Sequence, residues 1–279
     1  MTATTAQRAV PTSSDRSAIT RFGNLVGSEW TKLTSVRSTI WALLLLVILS
    51  VSFTGLLIGL ISGQWDTITE QQRQVIRLDP VSQILGAGFQ FSQLAVCVLG
   101  VLVVTSEYTT GTIRASMLAV PRRIPVLAAK VVLFAGVTFM VAEVAAFSSF
   151  FLGAAILSPH IPVSLTAPGV LRAVIGAGLY ISMLGIFAIA VGTLIRHTAA
   201  AITGIIGFVL VLAPLTLLLP GNLGKYVYAY LPTNAGQQLA TTGQAADALL
   251  SPWQGFGVFA LWTAALLTLA AYLLQRRDV

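Results

Sequence analysis

Between Ile40 and Leu274 the chain repeatedly runs for some twenty residues with hardly a charge, as in WALLLLVILSVSFTGLLIGLI (41–61) and LYISMLGIFAIAVGTLI (179–195). A helix that crosses a bilayer needs about 20 predominantly apolar residues. Only 9% of the 279 residues are charged, against about 25% in a soluble domain. So few charges cannot cover a soluble surface. The pattern predicts an all-α integral membrane protein.

Six segments meet the length, at about 40–61, 81–104, 125–157, 170–195, 199–219 and 253–274. The third is longer than one crossing requires. Asp79-Pro80 and Ser251-Pro252 each set a capping side chain before a proline suited to a first helical turn. Pro125 and Pro168 serve similarly. Residues 1–20, rich in Ala, Thr and Ser, read as a disordered tail without a cleavable signal peptide. Residues 21–279 read as a single transmembrane domain. The one cysteine, Cys97, sits in an apolar run and excludes an intrachain disulfide.

The net charge of +7 is informative through its distribution, because loops on the cytoplasmic side carry an excess of Lys and Arg. With six spans, 12 of the 16 basic residues fall on the side of the two termini. These include Lys32, Arg37, Arg114, Arg122, Arg123, Lys130, Arg196, Arg276 and Arg277. Arg73, Arg77, Arg172 and Lys225 fall on the other side. Both termini are therefore expected in the cytoplasm, and nucleic acid is not an expected partner. The stretch SEYTTGTIRASMLAVPRR (106–123) is then cytoplasmic, and RHTA (196–199) forms a tight turn between spans 4 and 5. On the outer side, residues 220–252 are too interrupted to span. They suit either a pair of short interfacial or re-entrant helices or an ordinary loop, with Tyr226, Tyr228 and Tyr230 at headgroup level.

Catalytic chemistry is missing from the pattern. There are two histidines without metal-ligand spacing, no HExxH and no GxSxG. No catalytic, cofactor-binding or metal-ligating residue is assigned, and no enzymatic activity is expected. Without GxxxxGK[ST] the chain has no P-loop of its own for ATP. One acid, Glu143, lies midway along span 3, where a charge costs at least about 2.5 kcal/mol. It is a candidate site for a cationic substrate or a proton. The alternative is a hydrogen-bonded Glu at a helix interface near Ser148 or Ser149. Gly55 and Gly59 form a GxxxG suited to close helix packing.

Two cytoplasmic segments read as helices outside the spans. In residues 21–38, Phe22, Leu25, Val26, Trp30, Leu33 and Val36 recur at spacings of three and four. Arg21, Lys32 and polar residues fall between them. This predicts an amphipathic helix in the inner headgroup layer, with Phe22, Trp30, Lys32 and Arg37 meeting membrane lipid. In the second segment Thr109 or Thr110 can cap a helix start and Gly111 breaks it from span 2. Ile113, Met117 and Val120 form a stripe, and Pro121 stops the helix. A helix of two to three turns is marginal alone. It must pack on lipid, on its own bundle or on another protein.

At these places the sequence resembles the membrane subunits of ABC-2 type transporters, especially short actinobacterial-style permeases. SEWTKLTSVRSTIWALL (28–44) is similar to their helix before span 1. SEYTTGTIRASMLAVPRRIPVLAAK (106–130) resembles their loop between spans 2 and 3, and LPTNAGQ (231–237) their outer segment before the last span. The resemblance implies a six-span subunit of a bacterial cytoplasmic membrane that pairs with a second permease subunit, identical or not. ATP and Mg would be bound by separate P-loop ATPase subunits and by no site on this chain. It also implies export of a hydrophobic or amphiphilic substrate. By matching position, Glu107, Tyr108, Gly111, Thr112, Ile113 and Arg114, with Met117, would form the coupling helix that docks in the ATPase. Glu107 would hold the loop against the basic helix before span 1. Ile113 and Met117 would insert into the partner's groove, and Arg114 would pair with an acid there. A stand-alone secondary transporter or channel is the alternative, although no internal repeat is visible. An intramembrane enzyme or a structural membrane component is a third class.

Overall fold

The computed structural model describes residues 13–111, 123–216, 218–220, 222–243 and 248–276, and the elements among them are all helical. Helix α1 (Ser13–Ser35) leads to α2 (Arg37–Gly63), with Val36 extended between them. A short polar helix, α3 (Glu70–Leu78), starts at Thr69, whose hydroxyl and the Gln72 side chain cap each other's backbone amides. Then come α4 (Pro80–Thr109), α5 (Arg123–Leu157) and α6 (Val170–Ile195). The chain continues through α7 (Thr198–Gly207), a π-helical turn (Phe208–Leu212) and α8 (Ala213–Thr216). Two short helices, α9 (Asn222–Tyr230) and α10 (Pro232–Gln237), precede the last, α11 (Pro252–Arg276).

Five of these, α2, α4, α5, α6 and α11, are long and apolar enough to cross a membrane. Four of them close a ring: α2 packs on α4, α4 on α6, α6 on α5 and α5 on α2, while α4 and α5 also touch. Helix α6 is the enclosed member, with 72% of its apolar window buried against 22% for α2 and α11. The outward faces of α2 and α11 carry Trp41, Leu56 and Leu261, all exposed. Apolar faces of that extent need lipid or another apolar surface to cover them. Small residues set the spacing inside. A Cβ on Gly100 of α4 would come within 2.7 Å of both the Ala188 Cβ and the Gly185 carbonyl of α6. Only glycine lets the two backbones approach this closely.

Several boundaries differ from expectation. Helix α1 begins at Ser13, inside the segment expected to be a disordered tail. Ile19, Phe22 and Val26 continue a helical apolar period that the Ala, Thr and Ser composition hides. Arg37, expected in the amphipathic helix, opens α2 instead, because the chain breaks at Val36. Helix α4 runs five residues past its expected end at Val104, which places Glu107 and Tyr108 on its last turn. The hydroxyls of Thr105, Thr109 and Thr110 donate to the carbonyls of Val101, Ser106 and Ser106, satisfying groups that a helix end leaves open. Gly111 then turns left-handed, at φ 70°, and stops the helix as expected.

The fifth expected span, 199–219, is not among the five long helices. It is a shorter apolar helix, Thr198–Leu212, whose last turn is the π turn, followed by the single turn of α8. Pro214 explains the irregularity: proline lacks an N–H, and its ring would clash with the Leu210 carbonyl in a regular helix. Beyond it the segment holds two short helices, α9 and α10, rather than an uninterrupted loop, and the described residues from 241 to 251 are not helical. Residues Pro232–Gly236 of α10 are buried against α11 and α6. Tyr226, Tyr228 and Tyr230 of α9 are exposed.

Candidate functional site: a charge cluster at one end of the bundle

One end of the bundle gathers the α1–α2 junction, the end of α4, the start of α5, the α6–α7 turn and the end of α11. Four charged side chains meet there. Lys130 of α5, 5% exposed, donates to Glu29 Oε2 at 2.6 Å and to Glu107 Oε1 at 2.9 Å. Lys32 of α1 donates to Glu29 Oε1 at 2.6 Å and to the same Glu107 oxygen at 3.0 Å. Two acids and two bases thus alternate in a closed loop that ties α1, α4 and α5 together. Glu29 is only 3% exposed, and a carboxylate so placed needs charged partners.

The electrostatics follow from that geometry. Burial alone raises the Glu29 carboxyl, but the charge and hydrogen bond of Lys130, then those of Lys32, outweigh it and hold the group below its ordinary value of 4.5. Burial lowers the Lys32 ammonium, but its hydrogen bonds to Glu29 and Glu107 hold it above its ordinary 10.5. Glu29 and Lys32 therefore both stay charged through the neutral range.

Neighbouring contacts anchor the same end. The Arg196 guanidinium lies 5.2 Å from the centre of the Tyr108 ring. Arg196 caps α6 in a left-handed conformation, at φ 61°, which a non-glycine residue adopts at some cost. Arg123, at the start of α5, donates to the Leu274 carbonyl of α11 at 2.7 Å. Glu107 and Tyr108 are adjacent on the last turn of α4, yet they reach different parts of the bundle. Glu107 reaches α1 and α5, and Tyr108 reaches the α6–α7 turn.

Of the residues assigned from sequence, Glu107 and Lys32 meet directly, and Tyr108 and Gly111 lie beside them. Thr112, Ile113, Arg114 and Met117 lie outside the described residues. Phe22 and Trp30 of α1 are exposed, Trp30 by 52%. The expected apolar stripe of α1 is therefore divided. Leu25, Val26 and Leu33 turn inward around Glu29, while Phe22, Trp30 and Val36 turn outward. Glu29 and Lys130 were not singled out from sequence. The signal was the spacing of four from Leu25 to Glu29 to Leu33, which puts an acid on the apolar face.

Two further polar clusters lie away from this end. In the core, Tyr180 of α6 donates to Gln93 Oε1 of α4 at 3.0 Å, and Gln237 Nε2 of α10 donates to the Tyr180 hydroxyl at 3.1 Å. At the opposite end Asp79 caps α4 and accepts from the backbone amides of Ser82 at 3.0 Å, Thr242 at 3.2 Å and Gly243 at 2.8 Å. It also accepts from the hydroxyls of Ser82 and Thr242. Burial raises the Asp79 carboxyl, and these bonds more than offset it, leaving the group below its ordinary value. Arg172 donates to the Thr241 carbonyl at 2.9 Å. The segment after α10 is thus fastened to the starts of α4 and α6. Glu143 lies on α5 against Gly178 of α6, and no hydrogen bond to Ser148 or Ser149 holds it. Ser149 instead pairs with Ser50 of α2 at 3.0 Å. Among the described residues no three metal-type ligands converge. No protein-family model matches this chain, and no curated protein matches it.

Proposed function

We propose that the chain is the membrane-spanning subunit of an ATP-driven transporter of the ABC-2 kind, an exporter whose ATP is hydrolysed by a separate subunit. The observation that carries this reading is the charge cluster at the root of segment 106–123. A short loop helix has no stability of its own, and a link between two spans does not need its base tied to three other elements. Glu107, fixed to Lys32 and Lys130, and Tyr108, stacked with Arg196, give such a helix leverage on the bundle. Force applied to Ile113, Arg114 and Met117 by a partner passes through them to α1, α5 and the α6–α7 turn. An ATPase pair that closes on ATP and opens after hydrolysis biases the membrane part between two states through such contacts. The end bearing the cluster then faces the cytoplasm, consistent with the basic residues concentrated there. The exposed faces of α2 and α11 leave room for lipid and a second permease subunit. The cargo is a hydrophobic or amphiphilic molecule drawn from or through the bilayer.

Affinity purification of the tagged chain in mild detergent tests the reading. A P-loop ATPase is expected to co-purify in stoichiometric amount. A chain that purifies without any ATPase, and whose transport runs on an ion gradient, would overturn it in favour of a secondary transporter.

A further inference from the structure

Among the described residues, Glu143 is the acid in the interior of a spanning helix that no partner answers. It lies 20 residues beyond Arg123, which is about 30 Å at a rise of 1.5 Å per residue. Both carboxyl oxygens are buried, and neither has a hydrogen-bond partner. No charged side chain among the described residues stands within ion-pair distance of it.

The surrounding seam is otherwise satisfied. Ser182 of α6 donates to the Ala135 carbonyl at 2.9 Å, and Thr138 of α5 donates to the Phe134 carbonyl at 2.7 Å. The carboxyl occupies a notch that exists because residue 178 is glycine: a Cβ there would overlap the acid's Oε1, Cδ and Cγ. Next to the acid, Met140 and Val144 face outward, 64% and 58% exposed. The carboxyl therefore lies just inside an exposed apolar face of α5, at the seam between α5 and α6.

We propose that Glu143 is the recognition group for the transported molecule, and that this molecule is an amphiphilic cation with N–H donors, a primary amine or a guanidine on an apolar body. The proposal rests on the transport reading above and names its substrate class. A carboxylate removed from water without a partner costs several kcal/mol. An N–H-bearing cation supplies both the opposite charge and hydrogen bonds to two free acceptors. A quaternary ammonium supplies only the charge. The apolar walls of the seam accept the body of such a molecule, which approaches sideways from the lipid as α5 and α6 separate.

The test uses the full chain, with its co-purifying ATPase, in lipid nanodiscs. The probe is dansylcadaverine, a fluorescent primary amine, compared with its N-acetylated, uncharged form, and binding is read by anisotropy above empty nanodiscs. The amine is expected to bind about tenfold tighter than the acetylated form. Glu143→Gln is expected to abolish that preference and Glu143→Asp to retain part of it. Equal binding of the two probes by the unaltered chain overturns the proposal without recourse to any variant. So does an undiminished preference in Glu143→Gln, which would make the acid a neutral packing group. Failure of the ATPase to co-purify would instead count against the transport reading, while loss of probe discrimination with the ATPase present counts against this proposal alone.

Discussion

Lys130 bridges an acid on α1 and an acid on α4, and it is almost wholly buried. Removing one member of a buried ion network leaves the others uncompensated, at a cost of about 3–5 kcal/mol. Lys130→Met is expected to destabilise the chain by about 3 kcal/mol, the low end because Lys32 still reaches both acids. Combining it with Glu29→Gln should cost less than the sum of the single changes. Thermal unfolding of the four proteins in detergent checks this; strictly additive losses would show that the two groups do not interact. The cluster also predicts a pH window. The Glu29 carboxyl is depressed, so its contribution is complete above its ordinary value of 4.5 and disappears as pH falls through the still lower folded value. The Lys32 ammonium is raised, so its contribution is complete below 10.5 and disappears as pH rises through the higher folded value. Hydrogen exchange of α1 amides, corrected for intrinsic rates, should therefore be flat between those limits and speed up below the acid one. Gln93, Tyr180 and Gln237 show what residue-level reading of the sequence leaves out. Each is an ordinary polar residue in an apolar run, and only the fold brings the three together.

At the scale of elements, the spans were largely legible, because an apolar run of helical length has few other uses in a chain with so few charges. Helix α6 coincides with its expected limits, Val170 and Ile195. The failures occurred where local chemistry overrides hydropathy. Threonine hydroxyls and paired lysines carry α4 past its apolar stretch to Thr109, and Pro214 breaks the regularity of the apolar segment after Arg196. The depth of α10 was not readable either. Its residues look like loop, and they are buried because Gly176 and Gly236 allow close approach to Leu239, Tyr180 and Phe259. What fastens this outer segment is Asp79. Asp79→Asn removes the charge and converts one acceptor oxygen into a donor facing backbone N–H groups. A loss of about 1.5–3 kcal/mol is expected, from hydrogen bonds to a charged group. Hydrogen exchange should show it as faster exchange at Thr242 and Gly243, with the cluster around Lys130 unchanged. Unchanged exchange at those two amides would mean that the bonds to Asp79 do not hold the segment.

As a whole the molecule has an interior whose main unanswered group among the described spans is Glu143, and an exterior that leaves apolar faces uncovered. The ring of α2, α4, α6 and α5 pairs Ser50 with Ser149 and Tyr180 with Gln93 but leaves Glu143 unpaired, while α2 and α11 present apolar faces and one end presents charge ties ahead of segment 112–122. The overall class, a helical membrane protein, was legible from composition and period alone. The proposed mode of energising it rests on the motif around Gly111, because the apolar stripe of Ile113, Met117 and Val120 is too short to name its partner. The most direct measurement of the central claim replaces the partner-facing residues and leaves the cluster intact. In Ile113→Asp with Arg114→Glu, the chain is expected to insert and purify normally while the ATPase is lost from the preparation and cargo-stimulated ATP hydrolysis falls to background. Retention of the ATPase together with undiminished coupled hydrolysis would contradict the account.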